Sequence, residues 1–285
     1  MKKVLIAGCG DLGTRAGLLL ASAGHEVWGG RRSARKVPAP IRGLPMDLSS
    51  PDGIPPIPEA PWILYAVASD AFSDAAYRSA YVEGVRHLLA AVRSQHPAGT
   101  LRRLVYVSST SVYAQSDGEW VDESSPAEPT SFGGQRLLEG EALVREAAAE
   151  DGFEAVALRL SGLYGPGRTR LLDGVRSGRL PCYKPPVFTN RIHIEDAARA
   201  LVHVTEIDSP EPVYLGVDRA PVLDGEVKRW LAGRLGVPEP GTAAPSAGSR
   251  AMRSNKRCSS ARLEGSGFRF LYPDYRAGYA PLLPS

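Results

Sequence analysis

The first 32 residues constrain the fold of this chain more than any other stretch. A short apolar run, Val4–Ala7, leads directly into three glycines with the spacing G-x-G-x-x-G, at Gly8, Gly10 and Gly13. An amphipathic segment follows, and then a second apolar run at Val27–Trp28. The order of strand, glycine turn, helix and strand is typical of a βαβ unit that binds a dinucleotide.

Each glycine of this loop has a physical reason for its position. Gly8 lets the chain turn sharply away from the strand, and Gly10 leaves room for a pyrophosphate. Gly13 allows the helix and the strand to pack closely. The helix then offers unpaired N–H groups and the positive end of its dipole to the phosphates. Cys9 lies inside the loop, where a small side chain is sufficient, and we interpret it as a packing residue rather than a reactive thiol.

The end of the second strand favours one cofactor over another. Sites that prefer NAD usually place an acidic residue there, about 20 residues past the loop, to bind the ribose 2′-hydroxyl. This chain has Arg31 and Arg32 and no carboxylate at that strand end. A guanidinium pairs well with a 2′-phosphate, so the sequence favours NADP over NAD. The alternative is that both arginines are solvated surface residues. Asp47, which follows another short apolar stretch, is a candidate contact for the adenine.

Strands and helices alternate through the first part of the chain. Trp62–Ala68 is a continuous apolar run, as expected for a parallel strand that is buried on both faces, and Leu104–Val107 is another. A long helix follows the first run, and a helix rich in Leu, Ala and Glu covers Phe132–Glu150. This alternation predicts an α/β fold, a Rossmann-type doubly wound parallel sheet.

The regular alternation ends near Gly165, where Gly, Pro and Arg become frequent. We therefore predict a dinucleotide-binding domain over residues 1–165 and a smaller substrate-binding lobe over residues 166–285. Residues 190–217 are expected to return to the first domain, because helical and strand patterns reappear there. Residues 250–262 carry five basic side chains and no acidic one. They form either a solvated basic face or part of an anion-binding pocket.

Composition and cysteine usage exclude several classes of partner. The formal net charge is +3, which gives no reason to propose a nucleic acid. The 3 cysteines lie far apart, so neither a disulfide framework nor a metal site is expected. The first predicted strand starts at residue 4, and no run approaches the ~20 apolar residues of a membrane helix. A cytoplasmic location with no membrane partner is the expectation.

Five segments carry a resemblance to a known family. They are the glycine loop, YVSSTSVY (106–113), DESSPAEP (122–129), LRLSGLYGPGR (158–168) and NRIHIEDAARA (190–200). With these segments the chain resembles the extended short-chain dehydrogenases/reductases, the superfamily of NAD-dependent epimerases and dehydratases, over nearly its whole length. Its last part, from NKRCSSARL onward, is similar to an atypical branch of that superfamily. The resemblance implies a Rossmann-type domain with a smaller C-terminal lobe, and homodimers that form through helices at residues 74–93 and 132–149.

The resemblance also implies where ligands bind. Cofactor contacts are expected from the glycine loop and from the ends of neighbouring elements: Gly8, Cys9, Gly10, Asp11, Leu12, Gly13, Arg31, Arg32, Asp47, Ala66, Val67, Ala68, Ser108 and Arg136. Arg191 is the expected contact to an anionic group of the substrate. His193 lies in a region that is near the cofactor and the substrate in relatives, although a lone histidine before a helix also serves as a structural residue.

The active-site pair departs from the family pattern. Relatives carry Y-x-x-x-K at the start of the helix after residue 130, where this chain has Phe132 and Arg136. In relatives a serine binds the substrate oxygen, the tyrosine passes a proton, and the lysine lowers the phenol pKa and binds the nicotinamide ribose. Ser109 matches the serine. Phe132 has no proton to pass, whereas Arg136 keeps a positive charge for ribose hydroxyls.

Three residues are candidates to replace the missing proton donor: Tyr113, Tyr164 and Ser131. Of these, Tyr113 lies near the pocket in the family pattern, and Ser131 is also suited to cap the helix that follows it.

Two functions from different classes remain open. One is an NADP-binding oxidoreductase- or epimerase-like enzyme with a non-standard active site. Its substrate would be a small polar molecule, such as a nucleotide-linked sugar, and Ser109 favours it. The other is a catalytically silent protein that senses NADP(H) or a metabolite, and Phe132 and Arg136 favour that function.

Overall fold

The computed structural model describes residues 1–244 and 254–284, which divide into two compact units. The first unit consists of residues 1–112, 129–159 and 198–214. The second consists of residues 113–128, 160–197 and the described residues from 215 onward. The domain boundaries that the sequence suggested stay a prediction. Part of the basic stretch at 250–262, residues 250–253, lies outside the described residues.

The strands are short, and their bounds follow the apolar runs of the sequence. In chain order they are β1 (Lys3–Ala7), β2 (Glu26–Arg31), β3 (Arg42–Pro45), β4 (Trp62–Tyr65), β5 (Arg103–Ser109), β6 (Glu119–Val121), β7 (Glu154–Leu160), β8 (Gly162–Tyr164), β9 (Cys182–Tyr183), β10 (Phe188–Thr189), β11 (Arg191–His193), β12 (Val213–Gly216), β13 (Val222–Leu223), β14 (Thr242–Ala243) and β15 (Lys256–Cys258). Seven strands form one sheet in the order β12-β7-β5-β4-β1-β2-β3. Strand β1 pairs in parallel with β2 and with β4, and β4 pairs in parallel with β5. The predicted Rossmann-type α/β fold is confirmed.

The helices connect these strands. They are α1 (Asp11–Ser22), α2 (Asp74–Arg78), α3 (Gly84–Gln95), α4 (Phe132–Asp151), α5 (Arg170–Arg176), α6 (Ile194–Glu206), α7 (Asp224–Leu235), α8 (Ala261–Gly265) and α9 (Tyr275–Tyr279). A wider, π-type turn at Ser79–Glu83 joins α2 to α3, so the long helix expected there is one helical segment with an irregular turn. Among the described residues, no helix combines the length and the apolar character that a membrane crossing needs.

Helix α4 shows how local sequence sets the bounds of an element. The Ser131 hydroxyl accepts a hydrogen bond from the backbone N–H of Gly134, at 3.3 Å, which caps the first turn. The helix ends at Asp151 because Gly152 adopts a left-handed conformation with φ 73°. Ser131, one of the three candidate proton donors, therefore acts as the helix cap that the sequence also allowed.

The described residues of the second unit form four two-stranded sheets: β11-β8, β10-β13, β14-β9 and β15-β6. Its apolar cluster joins tyrosines of β8 and α9 to aliphatic side chains of α5 and α7. Strand β15 pairs in parallel with β6, which brings residues 256–258 beside residues 119–121. Each described basic residue of the 250–262 stretch has a partner in this unit. Lys256 donates to the carbonyl of Tyr113 at 2.7 Å, Arg257 donates to the carbonyl of Gly118 at 2.7 Å, and Arg262 lies 3.7 Å from Glu123.

Candidate cofactor and active site

The glycine loop of the first unit forms a cradle at the carboxyl end of β1. Gly8 has φ +88°, and a Cβ there would lie 2.6 Å from the backbone nitrogen of Val67. A Cβ at Gly13 would lie 2.8 Å from the Gly8 carbonyl oxygen, which explains the close packing of α1 on the loop. A Cβ at Gly10, in contrast, would meet nothing within 4 Å, and no side chain caps the start of α1. Open space beside an uncapped helix N-terminus fits the pyrophosphate of a dinucleotide.

Cys9 is fully buried within this loop. Burial raises the pKa of its thiol above the ordinary value, while the Thr14 hydroxyl, 3.6 Å from Sγ, and the charge of Arg31 act in the opposite direction. A buried thiol with a raised pKa is a poor nucleophile. The geometry agrees with the interpretation of Cys9 as a packing residue.

The two arginines at the end of β2 have different surroundings. Arg31 donates a hydrogen bond to the Cys9 carbonyl at 3.2 Å, so its guanidinium lies over the glycine loop. Arg32 is paired instead with the carboxylate of Asp70, at 2.7 Å, and the two side chains are 61% and 69% exposed. Asp70 belongs to the loop that follows β4. The fold therefore brings a carboxylate to a strand end where the local sequence has none.

The loop after β4 packs against the cradle. The Ala66 N–H donates to the Ala7 carbonyl at 2.8 Å, and Val67 contacts Gly8 as described above. Asp47 lies beyond β3, and hydrogen bonds from the Ser49 hydroxyl and N–H lower the pKa of the Asp47 carboxyl. In the first unit, the structure thus brings the glycine loop, Arg31 and the 66–68 segment together. Cofactor contacts by these residues stay a prediction.

Ser108 takes part in a buried polar group that the sequence reasoning missed. Its hydroxyl donates to Glu141 at 2.5 Å, and Glu141 also forms an ion pair with Arg159 at 2.6 Å. All three side chains are buried. Glu141 lies on the same face of α4 as the buried Leu137 and Val144. An acidic residue at a position where the helical pattern expects an apolar one is the sequence feature that could have revealed this buried polar group.

Ser109 ends β5, the strand next to β4 in the parallel sheet. The carboxyl ends of β1, β4 and β5 lie at one edge of the sheet, which is where open α/β sheets bind ligands. The Ser109 hydroxyl oxygen accepts a hydrogen bond from the Ser111 N–H at 3.1 Å. Its proton has no acceptor among the described residues and is available to a substrate oxygen.

Phe132 belongs to a cluster of aromatic rings at the start of α4. Its ring lies 5.0 Å from that of Phe72 and 5.3 Å, edge to face, from that of Tyr77. The rings of Tyr77 and Tyr81 lie 5.2 Å apart, and the Tyr81 hydroxyl oxygen accepts from the Ser69 N–H at 3.4 Å. Two phenols thus lie in the region where a catalytic tyrosine was expected at position 132. The sequence reasoning missed them as site candidates because their spacing indicates the buried face of a helix.

Arg136 is engaged by two carboxylates of the first unit. It donates twice to Asp74, at 2.8 and 3.1 Å, and once to Glu139, at 2.8 Å. These bonds raise the pKa of Arg136, and the hydrogen bond from Arg136 lowers the pKa of Asp74. A contact of Arg136 with a nicotinamide ribose stays a prediction.

The remaining predicted site residues lie in the second unit. Tyr113 is buried, and the hydroxyl of Tyr164 donates to the Asp274 carbonyl at 3.3 Å. Burial raises the pKa of Tyr164 far above the ordinary value for a phenol. Arg191 is buried and donates to the Thr189 hydroxyl at 2.6 Å. His193 accepts from the Glu195 N–H at 3.3 Å at the start of α6. The catalytic and substrate-binding roles of these residues stay predictions.

No metal centre is found in the parts of the chain that the structure describes. Residues 1–244 and 254–284 contain no group of three or more His, Cys, Asp or Glu side chains that could hold a metal ion.

Comparison with known proteins agrees with the geometry of the first unit. The model of the NAD dependent epimerase/dehydratase family matches residues 4–216. A solved structure from Methylobacillus flagellatus, a putative NAD-dependent epimerase/dehydratase, is 34% identical, covers 99% of this chain and 97% of its own, and has a TM-score of 0.78.

Two more distant solved structures share the fold. The UDP-glucose 4-epimerase of Thermus thermophilus, in complex with NAD, is 20% identical over 98% of this chain and 96% of its own, with a TM-score of 0.78. The human epimerase family protein SDR39U1, with NADPH, is 22% identical over 97% of each chain, with a TM-score of 0.76. Identities this low support similarity of fold alone, and the two structures hold different nicotinamide cofactors.

Proposed function

The chain belongs to the NAD dependent epimerase/dehydratase family, and we propose that it is an NADP-binding oxidoreductase- or epimerase-like enzyme with a non-standard active site. The proposed substrate is a small polar molecule, such as a nucleotide-linked sugar. The observation that carries the proposal is the open space at Gly10 beside an uncapped helix. The two arginines at the end of β2 support the choice of NADP.

Residues of the first unit would hold the cofactor. The backbone N–H groups at the start of α1 would bind the pyrophosphate, and Arg32 would bind the 2′-phosphate of NADP. The ion pair between Arg32 and Asp70 is largely exposed, and such pairs contribute little, so a phosphate can compete for the guanidinium. When bound, the nicotinamide ring supplies a site that takes up or releases a hydride.

Ser109 would orient the substrate. Its hydroxyl proton is available, and its oxygen is held by the Ser111 N–H, so it can donate to a substrate carbonyl or hydroxyl oxygen. Phe132 cannot pass a proton, and general acid/base help typically contributes about 10²–10⁴ in rate. Without a substitute donor, turnover would be slow by comparison with relatives that retain the tyrosine.

A second candidate function is a catalytically silent sensor of NADP(H). The observation that favours it is that the residues at the start of α4 are already engaged by structural partners. Phe132 is packed among aromatic rings, and Arg136 is bound to Asp74 and Glu139. This arrangement keeps the helix in place. Phe132 has no ionisable group, and the bonds to the two carboxylates raise the pKa of Arg136, so neither residue readily passes a proton.

Nicotinamide absorbance separates the two functions. Wild-type protein is screened with NADPH and NADP against carbonyl, alcohol and nucleotide-sugar substrates, together with Ser109→Ala and the neighbouring Ser111→Ala as a matched control. Turnover that is lost in Ser109→Ala and retained in Ser111→Ala supports the enzyme. Tight binding of NADPH without turnover of any substrate supports the sensor.

A further inference from the structure

Asp70 and Arg32 meet at the end of β2 although they lie 38 positions apart in the chain. The bond between Arg32 Nη2 and Asp70 Oδ1 is 2.7 Å long, and it raises the pKa of the Arg32 guanidinium. Asp70 follows the 66–68 segment that packs on the glycine loop. Its carboxylate therefore lies at the position along the sheet edge where a dinucleotide ribose is expected.

The two groups of this pair favour different cofactors. A guanidinium attracts the 2′-phosphate of NADP, which carries about −1.5 to −2 charges at neutral pH. A carboxylate repels that phosphate, but it accepts a hydrogen bond from the ribose 2′-hydroxyl of NAD. Asp70 also occupies a donor of the guanidinium that a phosphate would use.

A second carboxylate lies in the same neighbourhood. The positive charge of Arg32 contributes to the lowered pKa of Asp47, after the hydrogen bonds from Ser49. Among the described residues, Arg32 pairs with Asp70, and Asp47 acts on the guanidinium through its charge. Asp70 is the carboxylate in direct contact with the guanidinium.

We propose that Asp70 is a specificity-determining residue, which weakens the preference of this chain for NADP over NAD by pairing with Arg32. This inference rests on the proposed function, because it requires that the 2′-position of the cofactor binds beside Arg32. It assigns opposite effects to two residues in contact: removal of Asp70 strengthens NADPH binding relative to NADH, and removal of Arg32 weakens it.

Fluorescence titration with NADPH and NADH tests the inference without a substrate. The proteins are wild type, Asp70→Asn, Arg32→Gln and the double variant. Asp151→Asn is the matched control, because Asp151 forms an equally short exposed ion pair with Arg93, at 2.7 Å, outside the cofactor loops. We expect Asp70→Asn to increase the ratio of the NADH to the NADPH dissociation constant about two- to fivefold, in line with a surface charge pair.

The same increase should be smaller when Arg32→Gln is the starting protein, because only the direct effect of the Asp70 charge on the cofactor then remains. High salt should also reduce the increase because exposed charges are screened. Asp151→Asn should leave the ratio unchanged. Thermal unfolding of each variant checks that the fold is retained.

The outcomes separate this inference from the proposed function. A wild type that prefers NADH contradicts the proposed NADP preference, yet an increased ratio in Asp70→Asn still supports the role of Asp70. An unchanged or decreased ratio in Asp70→Asn overturns the inference even where the wild type prefers NADPH. Failure of both wild type and Asp70→Asn to bind either nucleotide overturns both proposals.

Discussion

Arg136 forms two parallel hydrogen bonds with the carboxylate of Asp74, at 2.8 and 3.1 Å. The pair joins the start of α4 to the start of α2, and the contact between Phe132 and Tyr77 joins the same two helices. Arg136, at the position where the family resemblance predicts a lysine, thus has a structural partner in this chain.

Restoring the family pair should raise any activity that the substrate screen finds. In the double variant Phe132→Tyr with Arg136→Lys, we expect turnover to rise about tenfold or more, because a phenol regains general acid/base help. A lysine cannot reproduce the two parallel bonds to Asp74, so its ammonium is freer to approach the phenol. Initial rates are compared with those of Phe132→Tyr alone. Unchanged turnover with normal NADPH binding would assign proton transfer to a different residue.

Two glycines of the cradle should respond differently to alanine. Gly10→Ala adds a methyl group to open space, so we expect the melting temperature to stay within about 2 °C and NADPH affinity to fall about tenfold or more. Gly8→Ala places a side chain at φ +88° against Val67. We expect it to reduce the free energy of unfolding by about 1–3 kcal/mol. Urea unfolding and fluorescence titration measure both effects. Full NADPH affinity in Gly10→Ala would contradict pyrophosphate binding at this loop.

The buried ion pair between Glu141 and Arg159 should be sensitive to the loss of one partner. Glu141→Gln removes the carboxylate that is paired with the buried Arg159, so we expect the free energy of unfolding to fall by about 3–5 kcal/mol. The exposed control Asp151→Asn should cost about 1 kcal/mol or less. Urea denaturation of the two variants gives the comparison. Equal losses of unfolding free energy in the two variants would show that the buried Glu141 pair is no more important for stability than an exposed pair.

Asp218 should make the stability of the protein depend on pH. Burial raises the pKa of this carboxyl to about 7, despite the opposing charge of Arg191, and its Oδ2 atom has no hydrogen-bond partner in the described structure. The folded state therefore holds the proton more tightly than the unfolded state. The stabilisation is fully present below the ordinary pKa near 3.8 and is lost as pH rises through about 7.

Asp218→Asn imitates the protonated carboxyl and should remove this dependence. Near pH 3.8, where the Asp218 carboxyl is protonated in the folded protein, we expect the variant and the wild type to be similarly stable. At pH values above 7 the variant should be more stable by up to about 4 kcal/mol. Denaturant unfolding at several pH values between these limits provides the measurement. Parallel curves for the two proteins would mean that the pKa of Asp218 is not raised in the folded state.

Features that depend on a few neighbouring residues were predictable. The glycine spacing predicted the βαβ unit at Lys3–Arg31, and the apolar run from Trp62 predicted β4, although the strand ends at Tyr65. The sequence also predicted the helix that begins at Phe132. It could not show the surroundings of Arg136, because Asp74 lies 62 positions away and only the packing of α2 beside α4 brings it close.

The sequence by itself determined the family, the Rossmann-type fold and the position of the glycine loop, because glycine spacing and apolar periodicity act over a few residues. Only the tertiary structure decided which charges face the predicted site residues. In the folded chain Asp70 pairs with Arg32, and Asp74 pairs with Arg136. Glu141 accepts a hydrogen bond from Ser108 and forms an ion pair with Arg159. Ion pairs between side chains on separate elements are set by how those elements pack, and packing depends on the whole sheet rather than on any one segment.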